Sequence, residues 1–382
     1  MKNILFTVEK IGPYHNARFN YISESNQLNL SVLETNISSN RYPWEENLNK
    51  NYKALELCLN NKTNKKLQIK RKVNKILKEI KPDIIYLSGW NEKISHYFLF
   101  ICQIKKIPIV ILSDSRYKGT KRNIFIELLK GFLLKGCSSA IVAGKESENY
   151  LIKLGFKKSA IFKPYNVVDN NYFLSTNKSR RSNKYILCVS RFLKLKNHKK
   201  LLKAFEIYKK KDGDLNLILI GSGPEKENII KYKEELSCSS NISIEPWKNM
   251  SELKSYYCNA KVFVLLSNND TWGLVVNEAM ASSLPCIVSY ECGCYVDLIK
   301  DNNTGWGVDP EDEDQLVNIF HEIDKIGESE FFDRQKSCLN IINDYSLENF
   351  SDAVKNSLIN SIKKSKFSKL SLITSYLLFL CI

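Results

Sequence analysis

The regular alternation of short apolar runs with segments of helical spacing is the feature that most constrains the fold. Five strand-like runs lie in the first half of the chain and five in the second, with helical spacing between them. This alternation favours parallel sheets covered by helices, which is an α/β fold. The predicted strands cover residues 4–8, 28–33, 83–87, 107–112, 140–143, 185–189, 215–220, 242–245, 262–266 and 286–289.

The chain is long enough to form two domains, because its 382 residues can enclose two buried cores. Residues 175–184 contain no apolar side chain and are predicted to link the two halves. The predicted domains are therefore 1–180 and 181–345. Residues 346–382 are expected to form helices that cross back toward the first domain.

The two ends of the chain bear on its location. The short apolar run after Lys2 predicts a strand rather than a signal peptide, so a cytoplasmic location is expected. Residues 370–382 are apolar apart from Ser and Thr and are too short to span a bilayer. Lysines precede this run, and two interpretations stay open. The segment either docks on the protein or lies in a membrane interface with its lysines at the headgroups.

Positive charge is concentrated in the first half of the chain. Residues 1–180 carry 31 Lys and Arg against 14 Asp and Glu, whereas residues 181–382 carry 26 against 27. The basic residues cluster at 62–78, mostly in a helix predicted at 65–80, and again at 116–135. They form either a solvated face or a surface for anionic lipid, where each cation is worth about 1 kcal/mol. No nucleic-acid motif accompanies the charge, so nucleic acid is not an expected partner.

Cysteine and histidine give no sign of a metal site. The eleven cysteines are scattered without a C-x-x-C pair, and the four histidines have no zinc spacing. Cys292 and Cys294 lack a matching pair of ligands nearby, so no metal and no cofactor are expected.

A strand, a glycine turn and a helix start follow one another at residues 262–281. Gly273 allows a close backbone approach, and the free N–H groups of the helix start suit a phosphate. Asp270 and Glu278 lie eight positions apart and are candidates to accept hydrogen bonds from sugar hydroxyls. The alternative is that Asp270 caps the helix and Glu278 is exposed.

Two further segments end strands on the same predicted sheet edge. Arg191 and Lys196 follow the strand at 185–189, where α/β proteins bind ligands, and are candidates to neutralise a leaving diphosphate. The alternative is an ordinary basic loop. Gly221 begins a G-x-G turn after the strand at 215–220.

Taken in order, these segments resemble the nucleotide-sugar domain of the family-4 retaining glycosyltransferases. The resemblance covers about residues 184–310 and includes the acidic pair spaced as in Asp270 and Glu278. It implies a GT-B fold, in which two Rossmann-like domains with parallel sheets face each other across a cleft. It also implies that Arg191 and Lys196 hold the diphosphate and that Asp270 touches the donor sugar. Glu278 would bind the ribose, with Gly221 and the backbone of Gly273, Leu274 and Val275 beside the donor.

The chain departs from the family pattern at two positions of this domain. Asp270 stands where the family usually has Glu, which shortens the side chain by one methylene. Ser283 stands where the family usually has Gly, and it is interpreted as a tolerated packing change.

The first half resembles the family less closely. Gly12 is what remains of a glycine loop that reaches the donor phosphate and the acceptor in the family. His15 is a candidate contact for the sugar or acceptor, with a surface histidine as the alternative. Asp114, after the strand at 107–112, is a candidate to orient the acceptor hydroxyl.

The resemblance predicts transfer of a sugar from a nucleotide-sugar with retention of configuration and without a metal ion. The basic first half and the apolar terminus favour a lipid-linked or polysaccharide acceptor in bacterial surface polysaccharide synthesis. They also favour peripheral attachment to the inner face of the cell membrane. Two alternatives remain, a nucleotide-sugar epimerase of the same fold and a non-catalytic binding scaffold.

Overall fold

The computed structural model describes residues 1–25, 28–35, 48–59, 65–119, 122–174, 185–301, 303–363 and 367–381. The chain divides into two compact units. The first comprises Met1–Val167 with Leu347–Ile382, and the second comprises Val168–Ser346. The segment 175–184, predicted as the linker, lies outside the described residues. The unit boundary falls between Val167 and Val168, whereas the sequence analysis placed it at 180.

Each unit contains one parallel sheet. The strands are β1 (Lys2–Val8), β2 (Leu28–Glu34), β3 (Lys53–Glu56), β4 (Ile84–Ser88), β5 (Ile109–Ser113), β6 (Ser139–Val142), β7 (Ile161–Phe162), β8 (Tyr185–Val189), β9 (Asn216–Ile220), β10 (Ile242–Glu245), β11 (Val262–Leu265), β12 (Cys286–Ser289) and β13 (Gly305–Val308).

Helices connect the strands and close the chain. They are α1 (Pro13–Ser25), α2 (Lys65–Ile80), α3 (Lys93–Ile104), α4 (Ile124–Leu134), α5 (Lys145–Lys153), α6 (Asn170–Phe173), α7 (His198–Lys210), α8 (Lys226–Glu234), α9 (Met250–Asn259), α10 (Leu274–Ala281), α11 (Tyr295–Leu298), α12 (Glu313–Lys325), α13 (Glu328–Asn343), α14 (Leu347–Lys363) and α15 (Lys369–Cys381).

The sheet of the first unit has the strand order β3-β2-β1-β4-β5-β6-β7. Its central strands are buried on both faces, as their continuous apolar runs predict. Apolar side chains of α2, α3 and α5 pack with the sheet in one core. α14 packs on strands β4 to β7.

The sheet of the second unit has the order β10-β9-β8-β11-β12-β13. The chain order reverses beside β8, so the loops after β8 and β11 leave neighbouring strands on the same edge. This is the point at which parallel α/β sheets open a crevice for ligands. Apolar side chains of α7 and α12 complete the core with the sheet.

The apolar C-terminal segment forms α15, which packs against α3 and α4 of the first unit. The structure shows one of the two interpretations, docking on the protein, and contact of the segment with a membrane interface stays a prediction. Among the residues that the structure describes, no helix combines the length and the apolar character that a membrane span requires.

Candidate functional site

The loops that follow β8 and β11 are joined by hydrogen bonds. The backbone N–H of Asn268 donates to the Leu195 carbonyl at 2.8 Å, and Ser267 Oγ donates to the same carbonyl at 3.1 Å. The Asn197 side-chain amide donates to Asn268 Oδ1 at 2.9 Å. These bonds fix the basic loop after β8 beside the acidic turn after β11.

Lys196 and Asp270 form an ion pair between these two loops. The Lys196 ammonium donates to Asp270 Oδ2, and the two side chains are only 15% and 17% exposed. Low exposure strengthens the attraction relative to a surface pair. The structure thus brings together two residues that the sequence analysis assigned to one site from segments 74 positions apart.

The glycine turn after β9 packs on the backbone of the basic loop. The Phe192 N–H donates to the Ser222 carbonyl at 2.8 Å, and the Glu225 N–H donates to the Phe192 carbonyl at 3.0 Å. A Cβ on Gly221 would lie 2.0 Å from the Ser190 carbonyl oxygen. Glycine is therefore required at 221 by close packing, and its predicted contact with the donor stays a prediction.

Arg191 lies inside this packed segment, between Ser190 and Phe192. Its side chain is partly buried. It begins the same loop that Lys196 ends, so both predicted diphosphate ligands follow β8. The direct contact of Arg191 with a diphosphate stays a prediction.

His198 underlies the basic loop as the first residue of α7. It is buried, and its Nε2 lies 2.8 Å from Ser190 Oγ. Desolvation, and secondarily the charge of Lys196, lower the pKa of His198 to about 4. The ring is therefore neutral near pH 7 and leaves the positive charge of this loop to the lysine and arginine side chains.

The turn before α10 has the left-handed backbone that glycine permits. Gly273 has φ 106° and is the N-cap residue of α10. Gly273, Leu274 and Val275 are all partly exposed, so the positive end of the helix is open at this point. The Gly293 N–H donates to the Asp270 carbonyl at 3.0 Å, which joins this turn to the turn after β12.

Glu278 lies inside the second unit. Its side chain is fully buried, and the Tyr257 hydroxyl donates to Oε2 at 2.6 Å. The alternative in which Asp270 caps the helix and Glu278 is exposed is therefore wrong, since Gly273 is the cap and Glu278 is buried. The predicted contact of Glu278 with a ribose stays a prediction.

Ser283 requires a correction of the sequence interpretation. Its backbone has φ 56°, in the left-handed region that favours glycine. This backbone conformation explains why the family usually has glycine at this position. Serine here costs backbone strain, so the substitution is not merely a packing change.

In the first unit, Gly12 and His15 lie together after β1. The Gly12 N–H donates to His15 Nδ1 at 3.3 Å, so Nε2 carries the ring proton. Desolvation, and secondarily the charge of Arg18, lower the pKa of His15 to about 3. His15 is thus a neutral hydrogen-bonding group, and its predicted contact with sugar or acceptor stays a prediction.

Arg18 connects the predicted residues of the first unit. Its guanidinium is buried, donates to the Tyr165 carbonyl at 2.8 Å and lies 4.8 Å from the centre of the Tyr165 ring. Burial lowers its pKa, and the charge of Asp114 works in the opposite direction. Arg18 therefore interacts electrostatically with both His15 and Asp114. The role of Asp114 toward an acceptor stays a prediction.

Sequence reasoning gave no role to two of these residues, Arg18 and Tyr257. Arg18 shares the buried face of α1 with Phe19 and Ile22, at helical spacing, so a cation in an apolar stripe was an available signal. Tyr257 lies 21 positions before Glu278, and no sequence signal joins the two residues.

The second unit matches a known family. The family described as "Glycosyl transferases group 1" matches residues 174–335. An uncharacterized glycosyltransferase of Haemophilus influenzae is 29% identical over 57% of this chain and 60% of its own length. The alpha-monoglucosyldiacylglycerol synthase of Acholeplasma laidlawii is 28% identical over 41% and 42%, respectively. The capsular polysaccharide biosynthesis glycosyltransferase CapM of Staphylococcus aureus is 28% identical over 44% and 51%. The chain thus spans about half the length of the curated relatives it matches.

Solved structures resemble nearly the whole chain. A glycosyltransferase from Rickettsia africae has a TM-score of 0.75 and 17% identity, covering 94% of this chain and 97% of its own. Alr3699/HepE of Anabaena, crystallised with UDP-glucose, has a TM-score of 0.72 and 14% identity, covering 93% and 99%. Residues 174–335 therefore match the group 1 glycosyl transferase model, and the chain has the GT-B fold.

Proposed function

We propose that the chain is a glycosyltransferase that moves a sugar from a nucleotide-sugar to an acceptor, with retention of configuration and without a metal ion. The observation that carries the proposal is the Lys196–Asp270 ion pair. It lies beside the glycine turn at the carboxyl edge of a sheet whose residues match the group 1 family.

The charges suit the departure of a nucleoside diphosphate. As the glycosidic bond breaks, negative charge develops on the leaving phosphate oxygens. Lys196 and Arg191 stabilise that charge, and the backbone N–H groups at Gly273, Leu274 and Val275 add the positive end of α10. Asp270 holds the Lys196 ammonium in position and accepts a hydrogen bond from the donor sugar. Glu278, which accepts a hydrogen bond from the Tyr257 hydroxyl, is assigned to the ribose; because its side chain is fully buried, ribose binding requires the carboxylate to become accessible.

Retention follows if the acceptor attacks from the face that the phosphate leaves. The departing phosphate oxygen then takes the acceptor proton, and the chain need not supply a base. In the first unit, neutral His15 offers its Nε2 hydrogen to the sugar or acceptor, and Asp114 orients the acceptor hydroxyl. Gly12 is assigned to the donor phosphate, as the resemblance implies.

The comparisons guide the choice of substrates. A structural neighbour was crystallised with UDP-glucose, so a UDP-sugar is the first donor to test. Two relatives are named as makers of a glycolipid and of a capsular polysaccharide. We therefore propose a lipid-linked or polysaccharide acceptor in bacterial surface polysaccharide synthesis. Transfer would take place in the cytoplasm, at the inner face of the cell membrane.

Donor turnover tests the proposal. The purified chain is incubated with each of several UDP-, GDP- and ADP-sugars, with and without a bacterial lipid extract. We expect free nucleoside diphosphate and a labelled lipid or glycan product, with retained anomeric configuration by NMR. The true donor should raise the melting temperature of the chain, because a ligand that binds only the folded state stabilises it. Conversion of the nucleotide-sugar without acceptor would instead show an epimerase, and donor binding without either reaction would show a scaffold.

A further inference from the structure

The C-terminal helix α15 has its apolar side chains on the outside. Its inward face carries Ser371, Thr374 and Ser375, all buried, together with Phe379. A helix that covers the core of a protein in water normally has the reverse arrangement. The outward side chains are 36–56% exposed and comprise Leu370, Ile373, Tyr376, Leu377 and Leu380.

Specific contacts hold α15 in this orientation. Ser371 Oγ donates to the Leu133 carbonyl at 2.6 Å and accepts a hydrogen bond from the Gln103 amide at 3.0 Å. The ring centres of Tyr97 and Phe379 lie 5.0 Å apart. The small polar residues thus serve attachment to α3 and α4, which directs the large apolar residues away from the protein.

The neighbouring helix α4 also exposes apolar side chains. Five of them are 43–72% exposed, and α15 packs against this helix. Single exposed apolar residues are normal, but a concentration on two adjoining helices marks an interaction surface. We call these residues, together with the outward side chains of α15, the apolar face. The residues of α4 are Ile124, Phe125, Ile126, Leu128 and Leu129.

The basic helix α2 borders the apolar face. The Lys66 ammonium donates to the carbonyl of Leu380, and the Lys70 ammonium lies 5.7 Å from the centre of the Phe379 ring. Further cations of α2 are exposed at Lys65, Arg71, Lys75 and Lys78.

The second basic cluster predicted from the sequence contributes less to this border. Arg116 is buried and pairs with Glu146 at 3.0 Å, and Arg122 and Lys130 both pair with Glu127. Lys62 and Lys121, also counted in the predicted clusters, lie outside the described residues. The exposed positive charge beside the apolar face therefore comes from α2, together with Lys135 at the end of α4 and Lys369 at the start of α15.

We propose that the apolar face lies on the surface of an anionic lipid bilayer, with the cations of α2 at the headgroups. A helix of this length covers about 20 Å and lies in the plane of the interface rather than across the membrane. Anionic lipid suits both the apolar side chains and the positive border. A second copy of the chain, packed symmetrically, would bring the same cations of α2 together and repel.

This inference deepens the proposed function, because a lipid-linked acceptor is reached at the surface of a membrane. Its test needs neither donor nor acceptor, so the two proposals fail separately. The full chain is sedimented with vesicles of phosphatidylcholine alone or of phosphatidylcholine mixed with phosphatidylglycerol. We expect strong binding to the mixed vesicles, weak binding to the neutral ones, and loss of binding in high salt.

Variants assign the binding to the apolar face. The triple variant Ile373→Ser, Leu377→Ser, Leu380→Ser and the double variant Phe125→Ser, Leu128→Ser should each lower vesicle affinity roughly tenfold or more. The double variant Arg71→Gln, Lys78→Gln should lower affinity for the anionic vesicles by about fivefold for each charge removed. Matched controls are Ile152→Ser and Phe332→Ser, which replace exposed apolar residues elsewhere and should bind as the unaltered chain does.

Two results would overturn the proposal. One is undiminished vesicle binding by both apolar-face variants, with melting temperatures that show them folded. The other is a chain that elutes as a dimer and becomes a monomer in the triple variant while neither binds vesicles, which would make the face an interface between copies.

Discussion

At the scale of single residues, the ion pair of Lys196 with Asp270 both positions the lysine charge and stabilises the two loops that it joins. Both side chains are largely withdrawn from water, so the loss of one leaves the other with an uncompensated charge. Asp270 is one methylene shorter than the glutamate usual in the family, and it still reaches the lysine. The shorter acid therefore forms the ion pair on which the proposed donor site depends.

Replacement of Lys196 by alanine should abolish sugar transfer. The change removes a cation from the leaving diphosphate, and we expect kcat to fall by about a hundredfold or more. The free energy of unfolding should fall by about 1–3 kcal/mol, because Asp270 loses its partner while its carboxylate is only slightly exposed to water. Steady-state kinetics with the identified donor and urea unfolding measure the two effects.

Lys194 provides the matched control for this variant. It lies in the same short turn as Lys196 but is exposed. Lys194→Ala should therefore keep nearly full activity. Full activity in Lys196→Ala would remove Lys196 from the site, and equal losses in both variants would show only a general effect of positive charge.

At the scale of elements, sequence periodicity predicted the structure well where a segment is long or strongly apolar. The basic helix predicted at 65–80 is α2, with the same bounds. Three strands escaped prediction. β3 is short and mostly exposed, β7 has two residues, and β13 contains two glycines. They form because neighbouring strands pair with them, and that is a tertiary effect without a local signal.

In the candidate site, too, the sequence predicts the order of the motifs but not the contacts between them. The order of the basic loop, the glycine turn and the acidic turn was readable from the sequence. The distance between Lys196 and Asp270 was not, because it depends on β8 lying beside β11. The contact of Tyr257 with Glu278 likewise depends on how α9 packs near α10, which no residue spacing encodes.

The glycine turn after β9 supports the basic loop by close backbone packing. Gly221→Ala would place a methyl group 2.0 Å from the Ser190 carbonyl oxygen and against the Phe192 ring. We expect the free energy of unfolding to fall by about 1–3 kcal/mol, since the loop must move to admit the group. Urea unfolding measures this change, and reduced donor affinity should accompany it because Arg191 lies in the displaced loop.

Gly327→Ala is the control for the glycine turn. A Cβ at this position meets nothing within 4 Å, and Gly327 is the N-cap residue of α13. Its replacement should cost no more than about 1 kcal/mol, because glycine is preferred to alanine at an N-cap but no atom is displaced. If Gly221→Ala were equally mild, the inferred close packing of the two loops would be wrong.

At the scale of the whole molecule, the sequence predicted two α/β halves and helices at 346–382 that cross back toward the first half. In the structure the last two helices belong to the first unit, and the buried face of α14 combines Phe350 and Val354 with three serines. Ser361 Oγ donates to Ser139 Oγ of β6 at 2.9 Å, and the Tyr86 hydroxyl donates to the Val354 carbonyl at 2.9 Å. Such polar contacts are specific in three dimensions and invisible in a hydropathy pattern.

Both units hold a histidine that is neutral when folded, so acid should destabilise the whole molecule. The pKa of His198 is about 4 and that of His15 about 3, both below the ordinary value of 6.5. The unfolded chain binds protons to these residues at higher pH than the folded chain does. Their contribution to stability is therefore complete above about pH 6.5 and is lost as the pH falls toward the folded pKa values.

The variant His198→Gln isolates the contribution of His198, in the second unit, to the pH dependence of the free energy of unfolding. Glutamine cannot gain the proton, so its free energy of unfolding should fall less between about pH 6.5 and 4 than that of the unaltered chain. The difference in slope should accumulate to as much as about 3 kcal/mol. Above about pH 7 the two proteins should show parallel pH dependence, because His198 is neutral in both states there. Urea unfolding over this pH range measures the curves, and identical acid limbs would mean that the pKa of His198 is the same in the folded and the unfolded chain. The ring would then gain its proton below about pH 6.5, and only there would its charge add to those of Lys196 and Arg191.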